Sequence, residues 1–293
     1  MHKFQKIRRN KLIKWFAFLF MALNLAIITV TGLSYFYMSS MFERVVAEYN
    51  VSTVENVRTT LATNFSAGEK LAQEIYHTAE MGSLSKKSNL KDPSGYLAAG
   101  KLIDFIEYEL GSSSSLEGAY IYLSCSDTVI SEQGMFDARF FYESYAPHNE
   151  MTFDEWKSWI QERRQPFYQT ATLTYETYTA EVVEYYCPFN AYTDSSYGCV
   201  VLNYAPSLLL KPFDGGALLN SADIQIRYLP EQTQILSSGN TEINNYVYEQ
   251  DLKTGKTTLH STPFGKLIVI KQTSLDHNWE YIITLSANVF YER

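Results

Sequence analysis

The chain has 293 residues, 46% hydrophobic and 19% charged, enough for one or two folded domains with a full core and without a disordered low-complexity tract. The net charge of −8 is unevenly placed: residues 1–14 carry Lys3, Lys6, Arg8, Arg9, Lys11 and Lys14 and no acidic residue, contributing +6 and leaving −14 for the rest. So acidic a remainder argues against a nucleic-acid-binding face, which needs a basic surface.

Trp15 to Met38 follow the basic head without a single charge. A helix needs roughly 20 apolar residues to cross a bilayer, so this stretch is long enough. Basic flanks stay in the cytoplasm, which puts residues 1–14 inside and residues 39–293 outside; Trp15, Tyr35 and Tyr37 sit where interfacial aromatics belong. A cleaved signal peptide would have an apolar core of about 7–15 residues and a small-x-small cleavage site. This core is longer and ends in Tyr-Phe-Tyr-Met, so the reading is a retained transmembrane anchor. Asn24, Thr29 and Thr31 inside it are expected to bond their own backbone rather than a partner helix.

Met41 to Met81 repeats apolar residues at three- and four-residue intervals (Phe42, Val45, Tyr49, Val57, Leu61, Phe65, Leu71, Ala72, Ile75) and reads as a long stalk helix, with its stripe weakest at Ser52–Asn56. Gly82–Asp92 is a polar loop and Pro93–Leu110 the next helix. Gly118–Ser124 and Thr128–Ser131 form a hairpin about Ser126-Asp127, with Ala119, Ile121 and Leu123 on one face and Tyr120 and Tyr122 on the other. Phe136–Tyr145 fits a short helix or a strand. Thr152 and Glu155 form a capping box that starts a helix to about Arg164. Tyr168–Tyr178 is irregular or an edge strand, and Glu181–Pro188 and Tyr197–Tyr204 are strands joined by Phe189–Ser196. After a break at Asp214-Gly-Gly216 comes a smaller pattern: strands Ile224–Leu229 and Gln234–Ser237, helix Asn244–Leu252, strand Lys256–Ser261, and a hairpin of Lys266–Thr273 and Trp279–Leu285.

No motif carries catalysis. The histidines make no His-x-x-x-His pair, and Gly-x-Ser-x-Gly and phosphate-loop patterns are absent, so neither an enzyme nor a metal or other cofactor is expected. A ligand pocket is the better reading. Twelve of the 23 tyrosines fall between residues 120 and 204, and a tyrosine offers a small molecule both a ring face and a hydroxyl. The candidate ligand-binding residues are Tyr120, Tyr122, Trp156, Trp159, Tyr168 and Tyr185, with Arg139 and Arg163 as clamps for an anion and Asp194 for an ammonium or sugar hydroxyl. Each has a plainer alternative: strand packing for the tyrosines, surface pairing or helix-end charge for the arginines, a turn for Asp194. Of the three cysteines, Cys187 and Cys199 lie on consecutive strands and are the candidate disulfide, against the alternative of three reduced, buried thiols.

The order of anchor, stalk and two sheet-forming regions resembles the double-Cache extracellular sensor domain of bacterial membrane receptors. So does the closing stretch Lys266-Leu-Ile-Val-Ile-Lys-Gln-Thr-Ser274, Asn278-Trp-Glu-Tyr-Ile-Ile283 and Asn288-Val-Phe290. The resemblance implies an α+β fold of two stacked PAS-like antiparallel-sheet modules hung on the stalk helix (39–81). Residues 82–206 would be the membrane-distal module and 207–293 the membrane-proximal one. It further implies a small-molecule ligand, pairing of two copies through the stalk, and a second span and output region beyond residue 293. The closing pattern is most similar to the sensor part of membrane-bound AraC-type transcriptional regulators of Gram-positive bacteria, then to that of sensor histidine kinases. A membrane-tethered binding or adhesion protein without output is the alternative from another class. Amino-acid-binding members carry an Arg–Trp–Tyr–Asp constellation. Trp156, Trp159, Arg163, Arg164, Tyr168 and Asp194 supply the residue types without matching its spacing, so the ligand is left open among sugars, carboxylates and amino acids.

Overall fold

A computed structural model describes residues 2–149, 151–189, 198–211, 222–230, 233–249, 256–274 and 279–286. The chain divides into two compact units, residues 1–53 and 54–293. Helix α1 spans His2–His77, and the residues Ser52–Asn56, where the apolar stripe is weakest, are helical. Lys14–Met38 is, among the described residues, the one helical stretch long and apolar enough to cross a membrane. Within it Asn24 Nδ2 donates to the Phe20 carbonyl and Thr29 Oγ1 to the Leu25 carbonyl, both at 2.8 Å, satisfying these side chains inside their own helix.

In the second unit, α1 ends four residues earlier than the sequence suggests. Thr78 turns to an extended conformation and its hydroxyl caps α2 (Ala79–Leu84) by accepting from the Met81 amide at 3.3 Å. Helix α3 (Pro93–Ser112) starts with Asp92 accepting from the Gly95 amide at 2.6 Å and with proline in its first turn, where no amide is needed.

The first sheet is built from β1 (Leu116–Leu123), β2 (Thr128–Ser131), β3 (Gly134–Asp137), β4 (Phe167–Thr174), β5 (Thr179–Phe189) and β6 (Gly198–Tyr204), in the order β3-β2-β1-β6-β5-β4 with antiparallel neighbours. The ambiguous stretch 136–145 splits at Asp137, which ends β3 and caps α4 (Ala138–Tyr145) by accepting from the Arg139 and Phe140 amides. The Thr-rich stretch after Tyr168 is an edge strand, β4. Helix α5 (Phe153–Glu162) carries the capping box: the Thr152 amide donates to Glu155 Oε2 at 2.7 Å, and the Glu155 amide donates to Thr152 Oγ1 at 3.4 Å.

After α6 (Pro206–Leu210) comes a second sheet of β7 (Asp223–Tyr228), β8 (Thr233–Ser238), β9 (Lys256–Thr262), β10 (Gly265–Ser274) and β11 (Trp279–Ser286), in the order β8-β7-β11-β10-β9, with α7 (Thr241–Glu249) between β8 and β9. This order repeats β2-β1-β6-β5-β4 of the first sheet, and in each sheet the helical connection follows the opening strands.

One continuous core joins the α1 stripe (Leu61, Phe65, Ala72, Ile75), α3, one face of the first sheet and one face of the second. At its centre Phe65 stacks on Trp279 of β11 with ring centroids 4.4 Å apart, and meets Tyr168 of β4 and Tyr204 of β6 edge-on at 5.3 and 5.4 Å. Gly68, one turn along α1, leaves room for the Tyr204 hydroxyl, which a Cβ there would strike. The sheet edges also meet: the Thr170 hydroxyl of β4 donates to the Ile235 carbonyl of β8 at 2.8 Å, which covers edges that would otherwise be open to pairing.

The expected Cys187–Cys199 disulfide is not formed; all three cysteines are free thiols. Cys187 is opposite Val200 and Cys199 opposite Pro188, so the register is one residue off for the pair. Cys187 therefore packs in the α1-side core and Cys199 in the core on the opposite face. The alternation of a strand, not sequence spacing, decides this. Cys125, in the β1–β2 turn, is exposed.

Candidate functional site

The face of the first sheet turned away from α1 is covered by α4 and α5. Pairing brings its side chains into two rows. One row runs Tyr120, Val201, Tyr186, Phe167 across β1, β6, β5 and β4, and the next runs Gly118, Asn203, Glu184, Gln169. Above them Phe141, Tyr142, Phe153, Trp156 and Ile160 close the second core. Trp156 is wholly buried, 5.4 Å from the Tyr122 ring and 5.3 Å from that of Tyr142.

A cavity of 260 Å³ opens beside these rows, with Gly118, Tyr120, Phe141, Ala146, Tyr175 and Asn203 in its wall. Among the described residues its charged lining is Glu117 and Glu132, without lysine, arginine or histidine. Burial raises the Glu132 carboxyl above its ordinary pKa. Tyr175 and Tyr178, stacked at 4.6 Å, stand in the same wall, and the Tyr175 hydroxyl donates to the Tyr145 carbonyl at 3.0 Å.

Behind the wall lies a buried ionisable cluster. Glu184 is fully buried, and its Oε2 accepts from Tyr186 at 2.7 Å and from Gln169 at 3.0 Å, and meets His148 Nε2 at 3.0 Å. The other His148 nitrogen, Nδ1, is 2.9 Å from the Ala146 carbonyl, and Tyr142 stacks on the ring at 5.6 Å. Both ring nitrogens thus face acceptors, which the imidazolium satisfies with two donors. Burial by itself would lower the His148 pKa, but the Glu184 carboxylate outweighs it and the net shift is upward. Burial likewise pushes Glu184 up, and the bonds from His148, Tyr186 and Gln169 bring it below its ordinary value. Among the described residues, Glu184 Oε1 and Asn203 Oδ1 on the same face accept no hydrogen bond.

No protein-family model matches the sequence, and no curated protein matches it. Solved structures do. The sensory domain of the Campylobacter jejuni chemoreceptor Tlp3 (CcmL), with isoleucine bound, superposes with a TM-score of 0.51 at 10% identity, over 86% of this chain and 97% of that one. The ligand-binding domain of Mlp24 with asparagine gives 0.52 at 12% identity, over 86% and 97%. The extracellular domain assigned to the histidine kinase vpHK1S-Z8 gives 0.56 at 9% identity, over 86% and 99%. The chain has the double-Cache fold. At such identities the likeness is one of fold, and the chemistry of the site rests on this chain's own residues.

Within the double-Cache fold the predicted site residues separate into groups. Tyr120, Tyr122, Trp156 and Trp159 come together on the α4–α5 face, where Trp159 meets Phe167 and Tyr186 edge-on at 4.9 and 5.0 Å. Tyr120 lines the cavity. The Tyr122 hydroxyl is held by Asp127 and Gln161, each at 3.2 Å, a packing arrangement. Tyr168 and Tyr185 are on the opposite face, in the α1-side core, with the Tyr168 hydroxyl donating to Glu69 at 2.9 Å. Arg139 is exposed, pairs with Asp154 at 2.9 Å and lies over the Phe153 ring at 4.5 Å. Arg163 lies over the rings of Phe167 and Trp159 at 4.6 and 5.2 Å. Neither arginine lines the cavity, so the anticipated anion clamp is not assembled there. Asp194 lies outside the described residues. Sequence reasoning missed Glu184 and His148. Glu184 had a signal, a lone charge in the apolar run Val182-Val183-Glu184-Tyr185-Tyr186. His148, 36 residues away, had none.

Proposed function

We propose that this chain is the ligand-sensing region of a bacterial membrane receptor, and that the ligand is a small molecule held in the cavity between the first sheet and α4–α5. The observation that carries the reading is that aromatic-lined cavity, in a fold shared with sensory domains whose solved structures hold isoleucine and asparagine. In this proposal residues 1–14 are cytoplasmic, 15–38 span the membrane and 39–293 are outside, as the basic head favours. Residues 82–206 form the distal module, 207–293 the proximal one, and two copies pair along α1. Ligand shifts the population between two arrangements, and α1 and β11, which meet at Phe65 and Trp279, carry the shift toward the membrane. The output lies in a further region, of the AraC-type transcription-regulator kind. A histidine kinase is the second reading, favoured by the likeness to the vpHK1S-Z8 domain.

A thermal-shift screen of the full chain in detergent against amino acids, amines, carboxylates and sugars tests the sensor reading. A ligand at 100 times its Kd adds about 2.7 kcal/mol of stability. The shift is expected to vanish in Ala146→Trp, which fills the cavity. A ligand whose shift survives that substitution would place the sensing site elsewhere.

A further inference from the structure

Residues 146–149, the first part of the connection from α4 to α5, form a strap along the edge strand β4. The Asn149 amide donates to the Thr172 carbonyl at 2.9 Å and the Thr174 amide to the Pro147 carbonyl at 2.8 Å, so His148 and Leu173 pair as an isolated antiparallel bridge. Two such bonds hold a strap weakly, because the same groups bond water when it lifts. The third fastening is the buried His148 side chain, with Nε2 3.0 Å from Glu184 Oε2, Nδ1 2.9 Å from the Ala146 carbonyl and Tyr142 stacked on the ring. The strap also belongs to the cavity wall. Ala146 lines the cavity, as do Tyr145 before it, Leu173 opposite it, and Tyr175, whose hydroxyl donates to the Tyr145 carbonyl.

The titratable and polar groups around the His148–Glu184 pair come from every element packed on it. Tyr186 stands beside Glu184 on β5, Gln169 on β4, Tyr120 on β1, Cys199 on β6 and Tyr142 on α4. Tyr175, between β4 and β5, feels both Glu117 and Glu184, and Glu155 of α5 acts on Tyr142. Glu117 and Glu132 line the cavity. Arg139 of α4 pairs with Asp154 and Glu143, and Lys157 of α5 with Asp127. Among the described residues, His148 is therefore the cation that neutralises Glu184.

We propose that residues 146–149 are a proton-operated latch: the His148 imidazolium clips the strap to the first sheet at the cavity wall, and loss of one proton to solvent releases it. A neutral imidazole has a single N–H, so either Glu184 Oε2 or the Ala146 carbonyl then faces a lone pair. Glu184 is at the same time left as a buried carboxylate without a counter-ion, which is costly. Two backbone bonds to an edge strand do not offset that, and lifting the strap lets water reach both groups. The direction of both shifts agrees: His148 is raised and Glu184 lowered, so the closed strap is favoured fully between 4.5 and 6.5 and loosens as pH climbs through the raised His148 value. The latch operates in the unliganded chain and goes beyond the sensor reading; only its bearing on a ligand rests on the cavity being the sensor's site.

The test is native-state hydrogen exchange, read by mass spectrometry on the full unliganded chain in detergent, with each rate divided by the intrinsic exchange rate at that pH. Protection of segments 146–149 and 172–174 should fall by up to about tenfold per pH unit above 6.5, as one linked proton requires. It should be nearly unchanged by low urea, because lifting a strap exposes little surface, whereas the β10–β11 pair should lose protection steeply as global unfolding does. His148→Gln offers Glu184 a donor whose charge cannot change, and should give lower protection with no pH slope. The native chain decides by itself if that variant fails to fold. Protection of the strap that is constant with pH would overturn the latch. So would protection that falls with urea in step with β10–β11, which would mean that the strap opens only when the fold does, and so would a pH slope that survives in His148→Gln. Opening as expected, together with a ligand shift that survives Ala146→Trp, would uphold the latch and overturn only its bearing on the ligand.

Discussion

The two sheets share a strand order, yet their helix-covered faces treat charge differently. In the second sheet, Arg227 of β7 is directly opposite Glu280 of β11, with guanidinium and carboxylate 4.0 Å apart, and Lys271 of β10 reaches the same carboxylate at 3.0 Å. Tyr248 of α7 lies over the guanidinium at 3.4 Å, and Asn244 ties the helix to Ser237. The charges are matched within the sheet, though Arg227 Nε and atoms of Gln225, Gln272 and Thr284 have no hydrogen-bond partner among the described residues. In the first sheet, Glu184 is opposite Asn203 and Gln169, which cannot neutralise it. Its counter-ion, His148, descends from the α4–α5 connection. A charge matched by neighbouring strands does not depend on the covering helix for its counter-ion. One matched by a connection makes the position of that connection, and the space beneath it, depend on charge.

The comparison can be broken first where both regions meet. Phe65→Ala removes the ring shared by Trp279, Tyr168 and Tyr204, and should cost about 3–5 kcal/mol in chemical denaturation, with both sheets unfolding in one transition. Two separate transitions would mean that the sheets are not coupled through this cluster. His148→Ala strands the Glu184 carboxylate and should also cost about 3–5 kcal/mol, while the double variant His148→Leu, Glu184→Leu should recover most of that loss. Arg227→Met in the second sheet should cost less, about 1–3 kcal/mol, because Glu280 keeps Lys271. Equal losses in the two sheets would dissolve the contrast.

A pH series sharpens it further. His148 has a raised pKa, so its contribution to stability is full below its ordinary 6.5 and is lost as pH climbs through the raised value. Glu184 has a lowered pKa, so its contribution is full above its ordinary 4.5 and is lost as pH falls through the lowered value. The pair should support the fold best between 4.5 and 6.5. Melting temperatures of the unliganded chain should decline above that window, and the decline should be smaller in His148→Gln. The smallest effect is expected from Thr152→Ala, which removes the α5 cap and should cost about 1 kcal/mol with the His148 pH dependence unchanged.

What the sequence by itself determined was local. Alternation placed Ala119, Ile121 and Leu123 on one face of β1 and Tyr120 and Tyr122 on the other, and the structure buries both faces in different cores. Thr152 and Glu155 marked the start of α5, and the strand order anchor–hairpin–helix–strands was enough to suggest the fold, because a strand's period of two and a helix's period of 3.6 are written within a few residues. Tertiary structure decided everything that joins distant residues. It put Tyr168 and Tyr185 on the α1 side, away from the cavity, and kept Cys187 and Cys199 apart through a one-residue register. It also brought His148 onto Glu184 and left Arg139 and Arg163 on other partners. Side-chain direction in a sheet flips with each residue of register, and a buried charge takes whichever partner the packing delivers, so neither can be read from spacing along the chain.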